Sequence, residues 1–395
     1  MSHRVVVAGV GAIPFRKPGS DDNYVAMAGE AIALALADAG VSYTDIQQAF
    51  AGYVYGDSCA GQRVIYQAGM TGIPIFNVNN NCATGSSALY LARQAVESGA
   101  ADCALAIGFE QMRPGALGNV FTDRDSPLDL FDAEAGQLVG HQELPIAIRY
   151  FGGAGLAHMN QYGTKLETFA KIRAKASRHA EHNPMAIFRK PMTVDDVMAS
   201  PMLWDGVMTR LMACPPTCGA AAAVLCSEEF SRRHGLDGRI VIRAQSMTTD
   251  RIDHLGPRDM RDVVGAGMTQ AAATQVYNKA GVSPADIDVV ELHDCFAQNE
   301  LISYEALGLC GAGEAEKFVN DNDNSYGGAF VVNPSGGLLS KGHPLGATGL
   351  AQCAELTSQL RGGAGVRQVD GARLALQHNL GLGGACVVTL FEKTA

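Results

Sequence analysis

Charge is scarce in this sequence, and none of it is gathered into a basic stripe. Of its 395 residues 18% are charged, the formal net charge is −10, and there is one Trp. A nucleic-acid partner needs Lys and Arg clustered on one face, so that class is set aside. No run of about 18 consecutive apolar residues occurs, which excludes a membrane-spanning helix. Met1-Ser2-His3-Arg4 leads straight into Val5-Val6-Val7-Ala8 without the long apolar stretch of a signal peptide. Phe391-Glu392-Lys393-Thr394-Ala395 is not a peroxisomal tripeptide signal. The ten cysteines include no Cys-x-x-Cys pair and no regular framework, which points to the reducing cytoplasm rather than a disulfide scaffold. Cys214 and Cys218 flank Pro215-Pro216-Thr217 without histidines at zinc-finger spacing, so no metal is expected. Gly9-x-Gly11 lacks the third glycine of a dinucleotide loop and reads as a tight turn.

What the chain does have is apolar content, at 47%, and 46 glycines spread through it. The length suits two ordinary domains, or one large α/β unit with an insertion. Cys82 is its most informative residue. An apolar segment, Ile73 to Val78, runs into Asn79-Asn80-Asn81-Cys82-Ala83-Thr84-Gly85, and Ala88 to Val96 follows with helical periodicity. The thiol is therefore expected on a turn between strand and helix. There, unpaired N–H groups and the helix dipole favour a thiolate, and hence a covalent nucleophile.

The chain also carries a faint duplication. Ala35 to Ile46 resembles Val276 to Ile287: in both, an alanine-rich helix ends at Gly, a Ser-x-x-Asp turn follows, and a strand comes next. A second echo pairs Cys82-Ala83-Thr84-Gly85 with Gly346-Ala347-Thr348-Gly349. Alternating strands and helices in both halves imply βαβ units, whose active groups gather at strand ends and helix starts. His293 and Cys295 fall at a strand end, Cys82 and His343 at helix starts, so these four are expected to be neighbours. Residues 119–217 read as an insertion over the active site, richer in charge and in histidine (His141, His158, His179, His182), with an amphipathic helix from Lys165 to Glu181.

Four runs carry a family resemblance, in the right order: Asn79 to Ala88, His293-Asp294-Cys295-Phe296, Gly342 to Gly349, and His378 to Gly384. They resemble the thiolase superfamily, and specifically its sterol carrier protein X type, over nearly the whole chain. Ordinary thiolases typically carry Asn-Glu-Ala-Phe in place of His293-Asp294-Cys295-Phe296. They place a second catalytic cysteine in a Cys-x-Gly motif where this chain has His378-Asn379-Leu380. One thiol disappears and another appears. Cys218 is a local departure, since relatives more often show Asp there.

The resemblance implies a five-layered αβαβα thiolase fold of two duplicated halves with an inserted loop domain. The halves are residues 1–118 plus about 218–245, and 246–395; the loop domain, residues 119–217, binds coenzyme A and the acyl chain. It implies the thiolase domain alone, without the C-terminal lipid-transfer domain of larger members. The implied activity is that of a 3-oxoacyl-CoA thiolase (acetyl-CoA or propanoyl-CoA C-acyltransferase), with coenzyme A as substrate and no cofactor. Cys82 is then the nucleophile, His343 its base, Cys295 the acid and base at the enolate carbon, and His293 an oxyanion donor. His378, Gly381 and Gly383 support the site, and His158 and Met159 line the acyl pocket. A homodimer or homotetramer in the cytoplasm is expected, with a small OB-fold protein as a further possible partner. Three rival functions remain open at this point: a ketoacyl synthase-like condensing enzyme, a steroid side-chain retro-aldol lyase needing an OB-fold partner, and a non-catalytic acyl-CoA or lipid-binding protein.

Overall fold

A computed structural model describes residues 3–20, 23–113, 118, 120–140, 143–251 and 259–394. His141 lies outside the described residues. Ten strands form the main sheet: β1 (Val5–Ala12), β2 (Gln48–Gly52), β3 (Ile75–Val78), β4 (Cys103–Glu110), β5 (Gly219–Ser227), β6 (Ile240–Thr248), β7 (Val289–Glu291), β8 (Val331–Val332), β9 (Leu374–Gly381) and β10 (Ala385–Lys393). Their spatial order is β8-β7-β9-β10-β6-β1-β5-β4-β2-β3.

The sheet is one five-stranded pattern used twice. Outward from β1 the pairings are antiparallel to β5, antiparallel to β4, parallel to β2 and parallel to β3. Outward from β6 they are antiparallel to β10, antiparallel to β9, parallel to β7 and parallel to β8. The two patterns meet along β1 and β6 at the pair Val6 and Val241.

The duplicated punctuation has the same physics in each half. Helix α1 (Tyr24–Ala39) ends at Gly40 with φ +71°, and its counterpart α5 (Ala266–Ala280) ends at Gly281 with φ +65°. Both glycines take the left-handed conformation that terminates a helix at little steric cost. Ser42 with Asp45, and Ser283 with Asp286, then form reciprocal capping boxes ahead of β2 and β7.

Alternation along the strands distributes their side chains between layers. Val6 and Ala8 of β1 pack with Ala28, Ile32 and Ala35 of α1. Val5 and Val7, facing the other way, pack with Leu89 and Val96 of α2 (Thr84–Glu97) and Leu350 and Leu356 of α7 (Thr348–Arg361). On the far side, Val290, Leu376 and Val388 pack with Ala272 and Val276 of α5 and Leu301 of α6 (Ala297–Ala306). The result is five layers, helix–strand–helix–strand–helix, with α2 and α7 sandwiched at the centre.

Between β4 and β5 the chain forms α3 (Ile146–Tyr162), α4 (Leu166–Ala180) and a ribbon of Met202–Trp204 with Met208–Thr209. This insertion packs on the second half: Phe151 and Phe169 belong to the same core as Leu292 and Phe296. The amphipathic segment from Lys165 to Glu181 is indeed a helix, but its charges do not all face water. Lys175 Nζ bonds Glu300 and the Val332 carbonyl, and Arg173 donates to Ser340 Oγ at 2.6 Å, all in the interior. Among the described residues no helix is long and apolar enough to cross a membrane.

Candidate active site

β3 leads the chain into a tight turn, in which Asn81 takes φ +50° and Cys82 is left just before α2. Asn tolerates this left-handed conformation better than most residues. Asn80 N–H donates to Thr84 Oγ1 at 2.8 Å, which fixes the turn against the helix start. Asn81 Nδ2 donates across to the Leu382 carbonyl of the second half at 3.2 Å. Gly381 is pressed so close that a Cβ would overlap the Asn80 carbonyl. Gly383, at φ +91°, turns the hairpin between β9 and β10.

The Cys82 sulfur and one ring nitrogen each of His293 and His343 lie within 4.8 Å of one another. All three side chains are buried, and the two rings meet edge to face at 5.0 Å. Their protons can be assigned from their partners. The Thr348 hydroxyl donates to the Pro344 carbonyl at 2.9 Å, so it accepts from His343 Nδ1 at 2.7 Å. His343 Nε2 then carries a free lone pair, and it is buried without a hydrogen-bond partner. Asn379 Nδ2, which can only donate, lies 3.0 Å from His293 Nδ1, so the proton of that ring is on Nε2. One histidine is thus an acceptor and the other a donor, as proton transfer and oxyanion stabilisation require. A metal would need lone pairs from both.

Burial governs the titration of this group. It holds the His343 imidazole down to about 3 and pushes the Cys82 thiol up to about 12, with nearby Glu110 adding to the rise. Burial also lowers His293, assisted by its neighbours His343 and His378. The helix-dipole expectation for Cys82 is therefore corrected. The resting state is a neutral thiol beside a neutral imidazole, because desolvation outweighs the favourable helix start.

Cys295 is also buried, and its thiol is pushed up by burial and by the neighbouring thiols of Cys214 and Cys82. Phe151 stacks on Phe296 at 4.9 Å and packs the insertion against this segment. Cys214 was read from the sequence only as a poor metal ligand. Its N–H donates to the Cys295 carbonyl at 2.9 Å, one residue along from the antiparallel pair Ala213 and Phe296.

Other sequence candidates play supporting parts. His378 accepts from the His293 N–H at 3.4 Å through Nδ1, and its Nε2 meets Thr269 Oγ1 at 3.1 Å. Both nitrogens are committed to holding the His293 backbone. His158 is likewise committed, with Nδ1 on Thr164 Oγ1 at 2.7 Å and Nε2 on Glu305 at 2.9 Å. These bonds tie α3 to α6. Met159 packs, partly buried, against the core of the second half. Sequence reasoning missed Thr348 and Asn379. Both stood in the motif runs, but their function depends on which ring nitrogen each faces.

A duplicated five-layered α/β fold with a buried thiol and two complementary histidines at its seam defines the thiolase-fold class. Comparison with known proteins agrees. Residues 5–125 match the family described as Thiolase, N-terminal domain, and residues 250–391 match Thiolase C-terminal domain-like. The chain belongs to the thiolase family. It is 53% identical to sterol carrier protein 2 of Homo sapiens over 393 residues, covering 98% of this chain and 72% of that protein. It is 35% identical over 366 residues to an acetyl-CoA acetyltransferase of Methanothermobacter thermautotrophicus, covering 91% of this chain and 92% of that protein. Among solved structures, an Ltp2-ChsH2(DUF35) aldolase superposes with a TM-score of 0.84 at 22% identity, covering 99% of this chain and 98% of that one.

Proposed function

We propose that this protein is a coenzyme A-dependent 3-oxoacyl-CoA thiolase, running thiolytic cleavage or the reverse Claisen condensation. The observation that carries the reading is the convergence of the Cys82 thiol with the His343 and His293 rings, the former keeping a buried, unpartnered Nε2. The thiolase relatives, one of them an acetyl-CoA acetyltransferase, support it.

With a thiol near 12 and an imidazole near 3, no ion pair waits in the resting site. Proton transfer to His343 must accompany attack of Sγ on the 3-keto carbon. The C2–C3 bond then breaks. The acyl group stays on Cys82, and the electron pair leaves on the enolate of acetyl-CoA, or of propanoyl-CoA from a 2-methyl substrate. Cys295 gives its proton to the enolate carbon. The thiol of a second coenzyme A attacks the acyl-cysteine and returns a proton to the protein as the shortened acyl-CoA leaves. His293 Nε2–H, with protonated His343, stabilises the charge developing on the thioester oxygen. Each such donor contributes about 2.7–4 kcal/mol in acyl-transfer enzymes. Coenzyme A is substrate in this scheme, received by the 119–217 insertion, and the working form is a cytoplasmic homo-oligomer.

The test is coenzyme A-dependent loss of 3-oxoacyl-thioester absorbance with acetoacetyl-CoA, a long-chain 3-oxoacyl-CoA and a 2-methyl-3-oxoacyl-CoA. Cleavage should occur with at least one of them and vanish in Cys82→Ala. The likeness to an aldolase complex favours a second reading, a partner-dependent lyase. Inactivity on all three substrates would move the assignment there.

A further inference from the structure

Glu110 ends β4 and is 1% exposed, yet no step of the proposed reaction uses it. Its carboxylate accepts three backbone N–H groups from two parts of the fold. Oε1 takes Tyr55 at 3.0 Å, and Oε2 takes Val54 at 3.1 Å and Gly346 at 3.0 Å. Val54 and Tyr55 follow β2 in the first half. Gly346 belongs to the second half, three residues beyond His343. The loop backbone is seated tightly there, since a Cβ on Gly346 would come 2.8 Å from the Gly52 carbonyl and overlap that of Phe109.

Among the described residues, the Cys82 thiol, the Tyr55 hydroxyl and the Cys218 thiol feel the Glu110 carboxylate, and none of these three is cationic. Three amide donors are what hold this carboxylate in place. A neutral side chain could not accept all three. An ionisable group carried at such desolvation cost beside a nucleophile is a functional arrangement rather than packing.

We infer that Glu110 is a positioning residue of the thiolytic site, tying the His343 loop to the chain after β2 so that Nε2 stays in register with Cys82. The inference rests on the thiolase reading. Burial raises Glu110 to about 7, offset in part by its three N–H donors. As pH falls through that value the carboxyl takes a proton, one amide loses its acceptor, and the loop loosens. His343 titrates far below; Asp294, between His293 and Cys295, is raised to about 8, so the part of an acid limb near neutrality that Glu110→Gln removes is the part that belongs to Glu110.

The experiment compares wild type with Glu110→Gln, which keeps the shape but cannot titrate. Thiolysis gives kcat and KM against pH. Independently, peptide mass spectrometry follows iodoacetamide alkylation of Cys82 against pH. The variant should lose about ten- to a hundredfold in kcat, the scale of a lost charge-assisted hydrogen bond, with KM nearly unchanged. The step of its acid limb near 7 should vanish, leaving only what Asp294 sets near 8. With the carboxylate charge gone, Cys82 alkylation should set in at lower pH. An acid limb and an alkylation onset both matching wild type would overturn the inference. Should the variant fold poorly, infrared spectra of wild type keep the question open to test. Apart from the band of Asp294, which persists to about 8, a protonated-carboxyl band must then disappear near pH 7 as activity rises, and the lack of any such band would overturn the assignment. Alkylation needs no turnover, so a failure of the thiolase reading is seen separately, as absence of coenzyme A-dependent cleavage in wild type.

Discussion

At the scale of single residues, the proposed chemistry depends on two tautomers, and each is set by one side chain. Thr348 faces His343 Nδ1 and Asn379 faces His293 Nδ1. Thr348→Val keeps the shape but removes the acceptor, so the His343 ring is free to carry its proton on either nitrogen. We expect kcat to fall about tenfold with little change in KM, measured by steady-state thiolysis, and Thr348→Ser to restore it. The scale is that of one hydrogen bond to a group that becomes charged. The residues proposed to react were legible in the sequence. Cys82, His293, Cys295 and His343 each lie in a short run of distinctive residue types. Glu110 was not, because its bond to Gly346 spans 236 residues and exists only once the halves are docked. The helix-dipole argument for Cys82 failed for a related reason: a sequence shows that a thiol precedes a helix, not how much protein covers it.

At the scale of elements, the Ala-Thr-Gly echo has a mechanical meaning. The starts of α2 and α7 cross at the centre of the molecule, and each glycine lets the other helix approach. A Cβ on Gly85 would come 2.7 Å from the Gly346 carbonyl and 3.1 Å from Gly349 N. One on Gly349 would overlap Ser86 Oγ and its backbone nitrogen. Backbone cannot move aside as a flexible side chain can, so Gly349→Ala should destabilise the fold by roughly 1–3 kcal/mol or more. A lowered Tm in thermal unfolding checks this, and a Tm equal to wild type would refute the crossing argument. Helix ends were readable here because Gly, Ser and Asp act locally. The role of α4 was not, since apolar spacing marks a buried face without revealing that Lys175 and Arg173 find Glu300 and Ser340 inside.

For the whole molecule, burial makes stability depend on pH in a definite direction. His179, His293, His343 and His378 are all held below the usual imidazole range by desolvation. A base whose folded pKa is depressed contributes stability above its unfolded value, near 6.5, that is lost as pH falls toward the folded one. Glu110 and Asp294 act the other way: raised to about 7 and about 8, they favour the fold at low pH and lose that contribution as pH rises. Four groups against two leaves stability rising with pH between roughly 4.5 and 6.5. Calorimetric Tm measured across that interval should increase, and a flat or falling Tm would contradict these burials.

The seam between the halves has one more consequence. Cys82 comes from the first half, and His293, Cys295 and His343 come from the second. The link between β5 and β6 passes through an exposed stretch, Arg232 to Gly235. A chain opened at that stretch would be two fragments, neither holding the complete set of groups proposed to react. On the proposed thiolase reading, turnover would return only when they reassociate, which makes the chain its own complementation reporter.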